Sequence, residues 1–330
     1  MPGIPEALKS RMQKQGYHFA GRHSAVKICE YTSKGMRGGI LCYKHAFYGI
    51  ESWRCMQATP AIGCDLGCRF CWRIIPEEMG INWNELNAVD SWDDPEFIVD
   101  KMIEEQRRIV SGYRSMADTP LKQKRWEEAN APKHVAISLT GEPTFYPKLS
   151  ALIAAFHRRG ISTFLVTNGT LPEAIAKLDP LPTQLYISLQ APDEQSYDNV
   201  VRPKIKNTWE RFTESLRMLG NLKTRTVLRM TLVKGLNMHN PEGYASLIGM
   251  AKPNYVEVKG FSFVGGSRGP ARGLSLQSMP THTEIKEFAA RLSSLTGYAY
   301  TAEHMPSRVV LLSRDEESAK NRIIDFTAIR

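Results

Sequence analysis

The feature that most constrains the fold of this chain is an alternation of strand-like and helix-like segments from residue 54 onward. Runs rich in β-branched and aromatic residues alternate with amphipathic stretches of helical period. The strand-like runs are 54–62, 134–139, 163–167, 184–190, 225–233 and 255–261, and the helical patterns are 148–159, 172–178, 208–219 and 241–251. This alternation predicts a parallel sheet with helices packed outside it. Six units are too few for a closed eight-stranded barrel, so we expect an α/β fold with a partial, open TIM-like (β/α)6 barrel.

The sequence divides into three predicted regions around that barrel. Residues 1–50 form an N-terminal extension, residues 51–280 the barrel, and residues 281–330 a cap made of a helix at 282–295 and a strand at 308–312. Residues 73–130 are long for one crossover and are predicted to be an insertion. The insertion contains a predicted helix with Asp94 as N-cap and Pro95 at the first position. Its predicted apolar face comprises Phe97, Ile98, Met102, Ile109 and Tyr113.

The six cysteines all lie within the first 71 residues and form two sets of three. Cys64, Cys68 and Cys71 follow the first predicted strand with the spacing C-x3-C-x2-C. Three thiolates are one fewer than a closed structural metal site needs, but they can bind three irons of a [4Fe–4S] cluster and leave the fourth iron open. Zinc with a fourth ligand from elsewhere, a strained disulfide and buried free thiols are the alternatives that the spacing leaves open.

With Phe70 directly before its last cysteine, this loop resembles the cluster loop of the radical SAM superfamily. The resemblance implies a [4Fe–4S] cluster whose open iron chelates the amino and carboxylate groups of S-adenosyl-L-methionine. It also implies that an electron passed to the cluster cleaves this cofactor and yields a 5′-deoxyadenosyl radical. The protein's share of such chemistry is to orient substrates and exclude solvent.

The second set, Cys29, Cys42 and Cys55, has an interval of thirteen residues on each side of Cys42. Cysteines are common core residues, so three unrelated buried thiols are one explanation. That explanation does not account for the confinement of every cysteine to the first 71 of 330 residues. Two sets of three therefore indicate a second cluster, carried by the N-terminal extension.

Polar residues and glycines follow the predicted strands at the edge where a βα barrel places its chemistry. After the second strand, Thr140-Gly141-Glu142-Pro143 resembles the "GGE(P)" motif of the radical SAM superfamily, with Thr140 in place of the first glycine. The resemblance implies a contact with the methionyl amine of S-adenosyl-L-methionine, and a glycine lets a ligand approach the backbone. The alternative is a plain turn. Further candidates for cofactor contacts follow the next two strands: Thr167, Asn168, Ser188 and Gln190.

The formal net charge of +9 indicates an anionic partner, for which nucleic acid is the simplest candidate. Arg202, Lys204 and Lys206 form a predicted basic rim, and the glycine-rich loop at 265–273 carries two arginines that could cradle phosphate. The charged stretch 121–128 is either a solvated helix face or a further nucleic-acid contact. No apolar run is long enough to span a membrane and no signal-peptide pattern opens the chain, so we expect an intracellular protein without a membrane partner.

The two cysteine sets together resemble a particular family of radical SAM enzymes, the tRNA 4-demethylwyosine synthases of wybutosine synthesis, in their single-domain archaeal-type form. The resemblance covers nearly the whole chain. It implies that Cys29, Cys42 and Cys55 bind a second [4Fe–4S] cluster and that Lys44 forms a Schiff base with pyruvate. The implied reaction joins N1-methylguanosine 37, in the anticodon loop of tRNA(Phe), to pyruvate and gives the tricyclic base 4-demethylwyosine. The enzyme would then be a carbon–carbon lyase or synthase.

The same resemblance carries expectations about partners. Longer members of the family have an N-terminal flavodoxin-like domain that this sequence does not show, so an external one-electron donor of the flavodoxin or ferredoxin type is implied. We expect a cytoplasmic monomer. Two alternatives stay open: another two-cluster radical SAM enzyme that modifies RNA, such as a methylthiotransferase, and a non-enzymatic Fe–S protein that binds RNA.

Overall fold

A computed structural model describes residues 4–87, 89 and 91–328. Three residues of the predicted N-terminal extension, positions 88 and 90 of the predicted insertion and the last two residues of the predicted cap lie outside the described residues. The ten strands of the described part form one sheet. In chain order they are β1 His18–Phe19, β2 Ala25–Lys27, β3 Cys55–Thr59, β4 His134–Ile137, β5 Ser162–Thr167, β6 Gln184–Leu189, β7 Arg225–Leu232, β8 Tyr255–Gly260, β9 Ala299–His304 and β10 Val309–Ser313.

The sheet is an open barrel with a parallel centre and antiparallel margins. Strands β3 to β8 run parallel to one another in sequence order, as six βα units predict. Strand β2 joins β3 and strand β10 joins β8, in both cases antiparallel. Within the described residues the edge strands β1 and β9 do not pair with each other, which confirms the partial, open α/β barrel. All three predicted regions contribute strands to this sheet, and the boundaries at 50 and 280 stay a prediction.

Helices pack against the outside of the parallel strands. Helices α10 and α11 have the predicted bounds, and Asp94 caps α5 by accepting hydrogen bonds from the backbone N–H groups of Glu96 and Phe97. The helices of the described part are α1 Glu6–Lys14, α2 Glu30–Met36, α3 Tyr43–Tyr48, α4 Trp83–Asn87, α5 Pro95–Ser111, α6 Pro120–Ala129, α7 Leu149–Arg158, α8 Pro172–Ala176, α9 Glu194–Val201, α10 Thr208–Leu219, α11 Pro241–Ala251, α12 His282–Thr296 and α13 Glu316–Lys320.

The predicted buried face of α5 is wrong at two positions, because Tyr113 lies beyond the end of the helix at Ser111 and Phe97 lies on its outer flank. Phe97 is 45% exposed, whereas Ile98 and Met102 are buried. The helix buries a narrower stripe, continued by Gln106 and Val110, because it packs chiefly against α7 and β2. The apolar spacing therefore identified the helix but included one residue on its outer flank.

Helix α3 closes the amino end of the barrel. Its aromatic residues Phe47 and Tyr48 are fully buried and belong to the same interior cluster as Phe164 of β5 and Tyr186 of β6. Tyr48 also contacts Tyr255, the first residue of β8, with ring centroids 5.7 Å apart. Because alternate residues of a strand point to the same face, side chains further along the same strands line the barrel interior between α3 and the carboxyl end.

Candidate active site

The Cys64–Cys71 loop lies beyond the carboxyl end of β3, where the segments that follow β4, β5 and β6 surround it. A cavity of about 410 Å³ lies between these segments, and all three cysteines of the loop line it. Most of the predicted cofactor residues line the same cavity: Thr140, Gly141, Glu142, Thr167, Asn168, Ser188 and Gln190. Pro143 is buried as the first residue of a short 3-10 helix and does not line it. The volume is typical of a small-molecule site.

Helix α9 and the residues after it hold the cysteine loop in place. The backbone N–H of Gly67 donates to the Val201 carbonyl at 2.8 Å. The Lys204 ammonium donates to the Cys64 carbonyl at 2.9 Å and forms an ion pair with Glu77 at 2.8 Å. Lys204 was predicted to belong to a basic rim, but its charge is held against the cysteine loop instead.

The glycine-rich loop that was predicted to cradle phosphate also packs against the cysteine loop. The Gly266 N–H donates to the Trp72 carbonyl at 2.7 Å. Arg272 is 1% exposed and donates to the Cys68 carbonyl and to the Glu78 carboxylate, both at 2.7 Å. The glycines permit this close backbone approach, and Arg272 fixes the cysteine loop rather than a solvent-exposed phosphate.

Glu142 joins the ends of β4 and β5. Its Oε1 accepts hydrogen bonds from the hydroxyls of Thr144 and Thr167, both at 2.7 Å, and its Oε2 accepts from the Asn168 N–H at 2.8 Å. The side chain is 2% exposed, and burial raises the pKa of its carboxyl to about 7 despite these donors. Oε2 keeps capacity for a further donor on its cavity side, and an ammonium group there would favour the ionised form.

Asn168 links β5 to the cysteine loop. Its amide nitrogen donates to Asp65 Oδ1 at 2.7 Å, and its amide oxygen accepts from the Thr170 N–H at 2.9 Å. Asp65 is fully buried between the first two cysteines of the loop, and burial raises the pKa of its carboxyl. Sequence reasoning did not single out Asp65. An acidic residue between two cluster cysteines was the available signal.

Gly141 has φ +67°, a conformation that costs little only for glycine. A Cβ at this position would lie 2.6 Å from the carbonyl carbon of Ile62 and would also overlap the Ala61 carbonyl oxygen. The space beside Gly141 is thus filled by the backbone that leads into the cysteine loop. The sequence predicts a glycine here because a ligand approaches the backbone; in the structure the backbone of Ala61 and Ile62 makes that close approach.

Gln190 offers an unused acceptor to the cavity. The side chain is 9% exposed, and its Oε1 is buried without a hydrogen-bond partner in the described part of the chain. Ser188, two residues earlier on β6, points to the same side and lines the cavity as well. A buried, unpaired acceptor beside a hydroxyl matches a ligand that carries hydroxyl donors, such as a ribose.

The second cysteine set lies at the amino end of the barrel. Cys55 is the first residue of β3, and Cys29 and Cys42 directly precede α2 and α3. Burial raises the pKa of the Cys42 thiol to about 11 and that of the Cys55 thiol to about 12. The charge of Cys29 raises both values further and the charge of Lys44 lowers both, so the structure brings these four side chains into electrostatic reach of one another.

Lys44 lies inside the barrel and is 8% exposed. Its ammonium stands 4.7 Å from the ring centroid of Tyr186 and 5.2 Å from that of Phe164. Burial lowers the pKa of Lys44 and the charge of Arg229 lowers it further, while Glu257 opposes both effects. An amine held in such a setting is the kind that acts as a nucleophile.

Glu257 of β8 ties α3 to the barrel wall. The fully buried carboxylate accepts from the hydroxyls of Tyr43 at 3.0 Å and Tyr48 at 2.9 Å, and from Arg229 Nε at 2.9 Å. Arg229 on β7 is directly paired with Glu257 in the sheet register, and Lys259 lies two residues further along β8. Sequence reasoning missed these three residues. Charged residues within two otherwise apolar strands were the signal.

The cysteines do not form a compact site for a single ion. Among the described residues, no three His, Cys, Asp or Glu side chains converge closely enough to hold one metal ion, and all six thiols are free. A cluster binds each thiolate to a different iron, so its cysteines lie further apart than the ligands of one ion. Three thiols around an open cavity fit a [4Fe–4S] cluster whose fourth iron stays open to a ligand. Burial raises the pKa of Cys68 to about 12, so cluster binding would displace thiol protons.

An open βα barrel with a three-cysteine loop at its carboxyl end defines the class of protein: a radical SAM protein. Residues 59–248 match the family model described as Radical SAM superfamily. Residues 250–314 match the model described as Wyosine base formation.

Individual relatives narrow this class. The chain is 46% identical to the S-adenosyl-L-methionine-dependent tRNA 4-demethylwyosine synthase of Pyrococcus abyssi (strain GE5 / Orsay), over 96% of this chain and 91% of that protein. A solved structure of TYW1 with a lysine–pyruvate adduct bound is 37% identical, covers 98% of this chain and 99% of its own, and has a TM-score of 0.83. A crystal structure of archaeal TYW1 is 35% identical with the same coverage and a TM-score of 0.76. The chain belongs to the family of tRNA 4-demethylwyosine synthases, the radical SAM enzymes of wybutosine biosynthesis, as its two cysteine sets predicted.

No helix in the described part of the chain is both long enough and apolar enough to cross a membrane.

Proposed function

We propose that this chain joins N1-methylguanosine 37 of tRNA(Phe) to pyruvate and forms 4-demethylwyosine, in a reaction of the carbon–carbon lyase or synthase type. The observation that carries the proposal is one cavity that reaches from the three-cysteine loop to Arg229, which shares the Tyr186 ring with Lys44; Lys44 itself does not line the cavity. Cys64, Cys68 and Cys71 line it at the carboxyl end of the barrel, and Arg229, next to Lys44, lines it deeper inside. The named relatives and the lysine–pyruvate adduct of TYW1 support this choice of substrates.

The first part of the proposed site holds S-adenosyl-L-methionine. A [4Fe–4S] cluster on Cys64, Cys68 and Cys71, when bound and reduced, would supply the electron that cleaves this cofactor to a 5′-deoxyadenosyl radical. Glu142 would accept a hydrogen bond from the methionyl ammonium at Oε2, beside the backbone of Thr140 and Gly141. Gln190 and Ser188 would accept from ribose hydroxyls. Thr167 and Asn168 would act indirectly, by holding Glu142 and the cysteine loop in place, and Pro143 would begin the 3-10 helix that Glu142 caps.

The second part of the proposed site holds pyruvate. In this proposal Lys44 Nζ, as the neutral amine, attacks C2 of pyruvate, and the carbonyl oxygen leaves as water when the C=N bond forms. The aromatic rings of Phe164 and Tyr186 limit access of bulk water to that bond. A second [4Fe–4S] cluster on Cys29, Cys42 and Cys55 would stand beside it. The electrostatic coupling of those thiols with Lys44 supports this arrangement.

The tRNA is the largest proposed partner. A net charge of +9 favours a polyanion, and the open barrel leaves room for a nucleotide to enter. Base 37 has to leave the stacked anticodon loop to reach the cavity, as target bases do in other enzymes that modify nucleic acids. An external one-electron donor of the flavodoxin or ferredoxin type, a cytoplasmic location and a monomeric state stay predictions.

The proposed reaction is tested with protein reconstituted anaerobically with iron and sulfide. Dithionite, S-adenosyl-L-methionine, pyruvate and tRNA that carries N1-methylguanosine 37 are added, and the digested tRNA is analysed by mass spectrometry. We expect release of 5′-deoxyadenosine and a tricyclic base. A thiomethylated base would favour a methylthiotransferase, and absence of 5′-deoxyadenosine would favour a non-enzymatic Fe–S protein.

The role of Lys44 is tested by borohydride trapping of labelled pyruvate. We expect a reduced adduct on the peptide that contains Lys44 in the wild type and none in Lys44→Ala. Lys34→Ala is the matched control, because the Lys34 side chain on α2 is 41% exposed and pairs with Glu30 at 2.6 Å. An adduct of undiminished yield in Lys44→Ala would remove Lys44 from the mechanism.

A further inference from the structure

Arg229 has hydrogen-bonding capacity that the described residues do not use. Its Nε donates to Glu257 at 2.9 Å, but its Nη2 is buried without a partner in the described part of the chain. A buried donor without a partner lowers stability, so such a group marks a place that a ligand completes. The side chain keeps 19% of its exposure and lines the cavity, which therefore gives a ligand access to the guanidinium.

Arg229 and Lys44 face the same aromatic ring. The guanidinium carbon lies 4.5 Å from the ring centroid of Tyr186, and the Lys44 ammonium lies 4.7 Å from it. In a Schiff base of an α-keto acid, the carboxylate oxygens lie roughly 3 Å from Nζ, and their hydrogen-bond donors lie about 3 Å further away. The two ring distances place the guanidinium carbon no more than about 9 Å from the Lys44 ammonium, and the outer nitrogens of the fork are the donors for a carboxylate between them.

The charges around Glu257 lead to the same ligand chemistry. Three cations, Lys44, Arg229 and Lys259, all feel the charge of this one buried carboxylate. A second cluster with three thiolates would add a single net negative charge. Together with Glu257 it would balance two of these cations, and the third would lack a counter-charge once Lys44 is a protonated Schiff base. A substrate carboxylate supplies that charge.

We propose that Arg229 binds the carboxylate of the α-keto acid at Lys44 and thereby sets both its orientation and the preference for an acid over its uncharged derivatives. The inference rests on the proposed function and adds to it the residue that recognises C1 of the substrate. Glu257 fixes the guanidinium through Nε and leaves its outer edge free, and a planar fork of this kind matches a carboxylate in two parallel hydrogen bonds. Arg229 is a specificity-determining residue, and the bond at Lys44 forms and breaks without it.

The test compares pyruvate with methyl pyruvate, which presents the same ketone without a negative charge. Reconstituted holoenzyme is titrated with each ketone, trapped with borohydride, and the adduct on the Lys44 peptide is quantified by mass spectrometry. We expect wild type to prefer pyruvate, and Arg229→Gln to raise the half-saturating pyruvate concentration roughly tenfold to hundredfold while hardly changing that of the ester. Arg229→Lys keeps the positive charge but lacks the planar fork, so its half-saturating pyruvate concentration should lie between those of wild type and Arg229→Gln.

Two further variants separate recognition from folding. Arg225→Gln, on the same strand at the amino end, removes an arginine that bonds Gln184 at 3.1 Å and should keep the acid preference. The double variant Arg229→Gln/Glu257→Gln removes both members of a buried ion pair and leaves no unpaired charge. It should therefore fold even if the single variant does not, and it should lack the preference for pyruvate over methyl pyruvate. A purely structural role would weaken acid and ester alike. Unchanged preference in folded Arg229 variants would overturn this role alone, whereas absence of any adduct in wild type would overturn the proposed function and this role with it.

Discussion

Gly141→Ala is the substitution whose effect the structure defines most sharply. At φ +67° a residue with a Cβ is strained by about 1–2 kcal/mol. The new Cβ would also lie 2.6 Å from the Ile62 carbonyl carbon and would overlap the Ala61 carbonyl oxygen. Both are backbone atoms, so no flexible side chain can move aside to relieve the overlap. Relief of such an overlap by backbone movement typically costs about 1–3 kcal/mol more. We therefore expect Gly141→Ala to lower the free energy of unfolding by about 2–5 kcal/mol.

Gly160→Ala is the matched control for this prediction. Gly160 has φ +65°, but no atom lies within 4 Å of its added Cβ. It therefore carries the conformational strain without the overlap, and should cost only about 1–2 kcal/mol. Urea unfolding of both variants and wild type, under anaerobic conditions, gives the two differences. The backbone displaced in Gly141→Ala leads into the cysteine loop, so its iron content after reconstitution should also fall, and that of Gly160→Ala should not.

The reasoning about Gly141 has a clear point of failure. If Gly141→Ala costs no more stability than Gly160→Ala and binds as much iron, the backbone of the Ala61–Ile62 segment does not occupy the space beside Gly141. The close approach of that segment would then be refuted, and with it the explanation for this glycine.

Two more predictions concern the cysteines and a buried histidine. The variant with all three cysteines of the Cys64–Cys71 loop changed to alanine should keep about half of the iron and an EPR signal but release no 5′-deoxyadenosine; loss of all iron would refute a second cluster on Cys29, Cys42 and Cys55. Burial lowers the pKa of His134 from 6.5 to about 3. As the pH falls, the unfolded chain therefore takes up a proton at this histidine before the folded chain does. The contribution of neutral His134 to the free energy of unfolding is fully present above pH 6.5 and is lost as the pH falls toward 3. The free energy of unfolding measured by urea titration should fall by about 1.4 kcal/mol per pH unit in that window from this group. His134→Gln should reduce this slope, and an unchanged slope would assign the acid sensitivity to other groups.

The buried network at Glu142 shows why sequence position and role differ. The sequence placed Thr140, Glu142, Thr167 and Asn168 at the correct ends of adjacent strands, because carboxyl ends of parallel strands meet at one edge. It did not reveal that the Thr167 hydroxyl and the Asn168 backbone N–H donate to Glu142, at 2.7 and 2.8 Å. Which donors reach a carboxylate depends on side-chain directions that only the packed strands fix.

The sequence by itself determined the features that depend on local spacing. The alternation of strands and helices predicted the open parallel barrel, and the spacing of six cysteines predicted both the loop at its carboxyl end and the family. Both patterns can be recognised in the sequence because the period of a strand or helix and the spacing within a short loop depend only on residues that are close together along the chain.

The tertiary structure decided how distant charges are used. Lys204 and Arg272, expected to face a polyanion, donate instead to carbonyls of the cysteine loop. Arg229 and Glu257, unremarked in the sequence, face each other because the register of β7 and β8 pairs them. A charge has no preferred partner along the chain, and only the register and packing of separate strands decide whether it meets a carboxylate, a carbonyl or an open cavity.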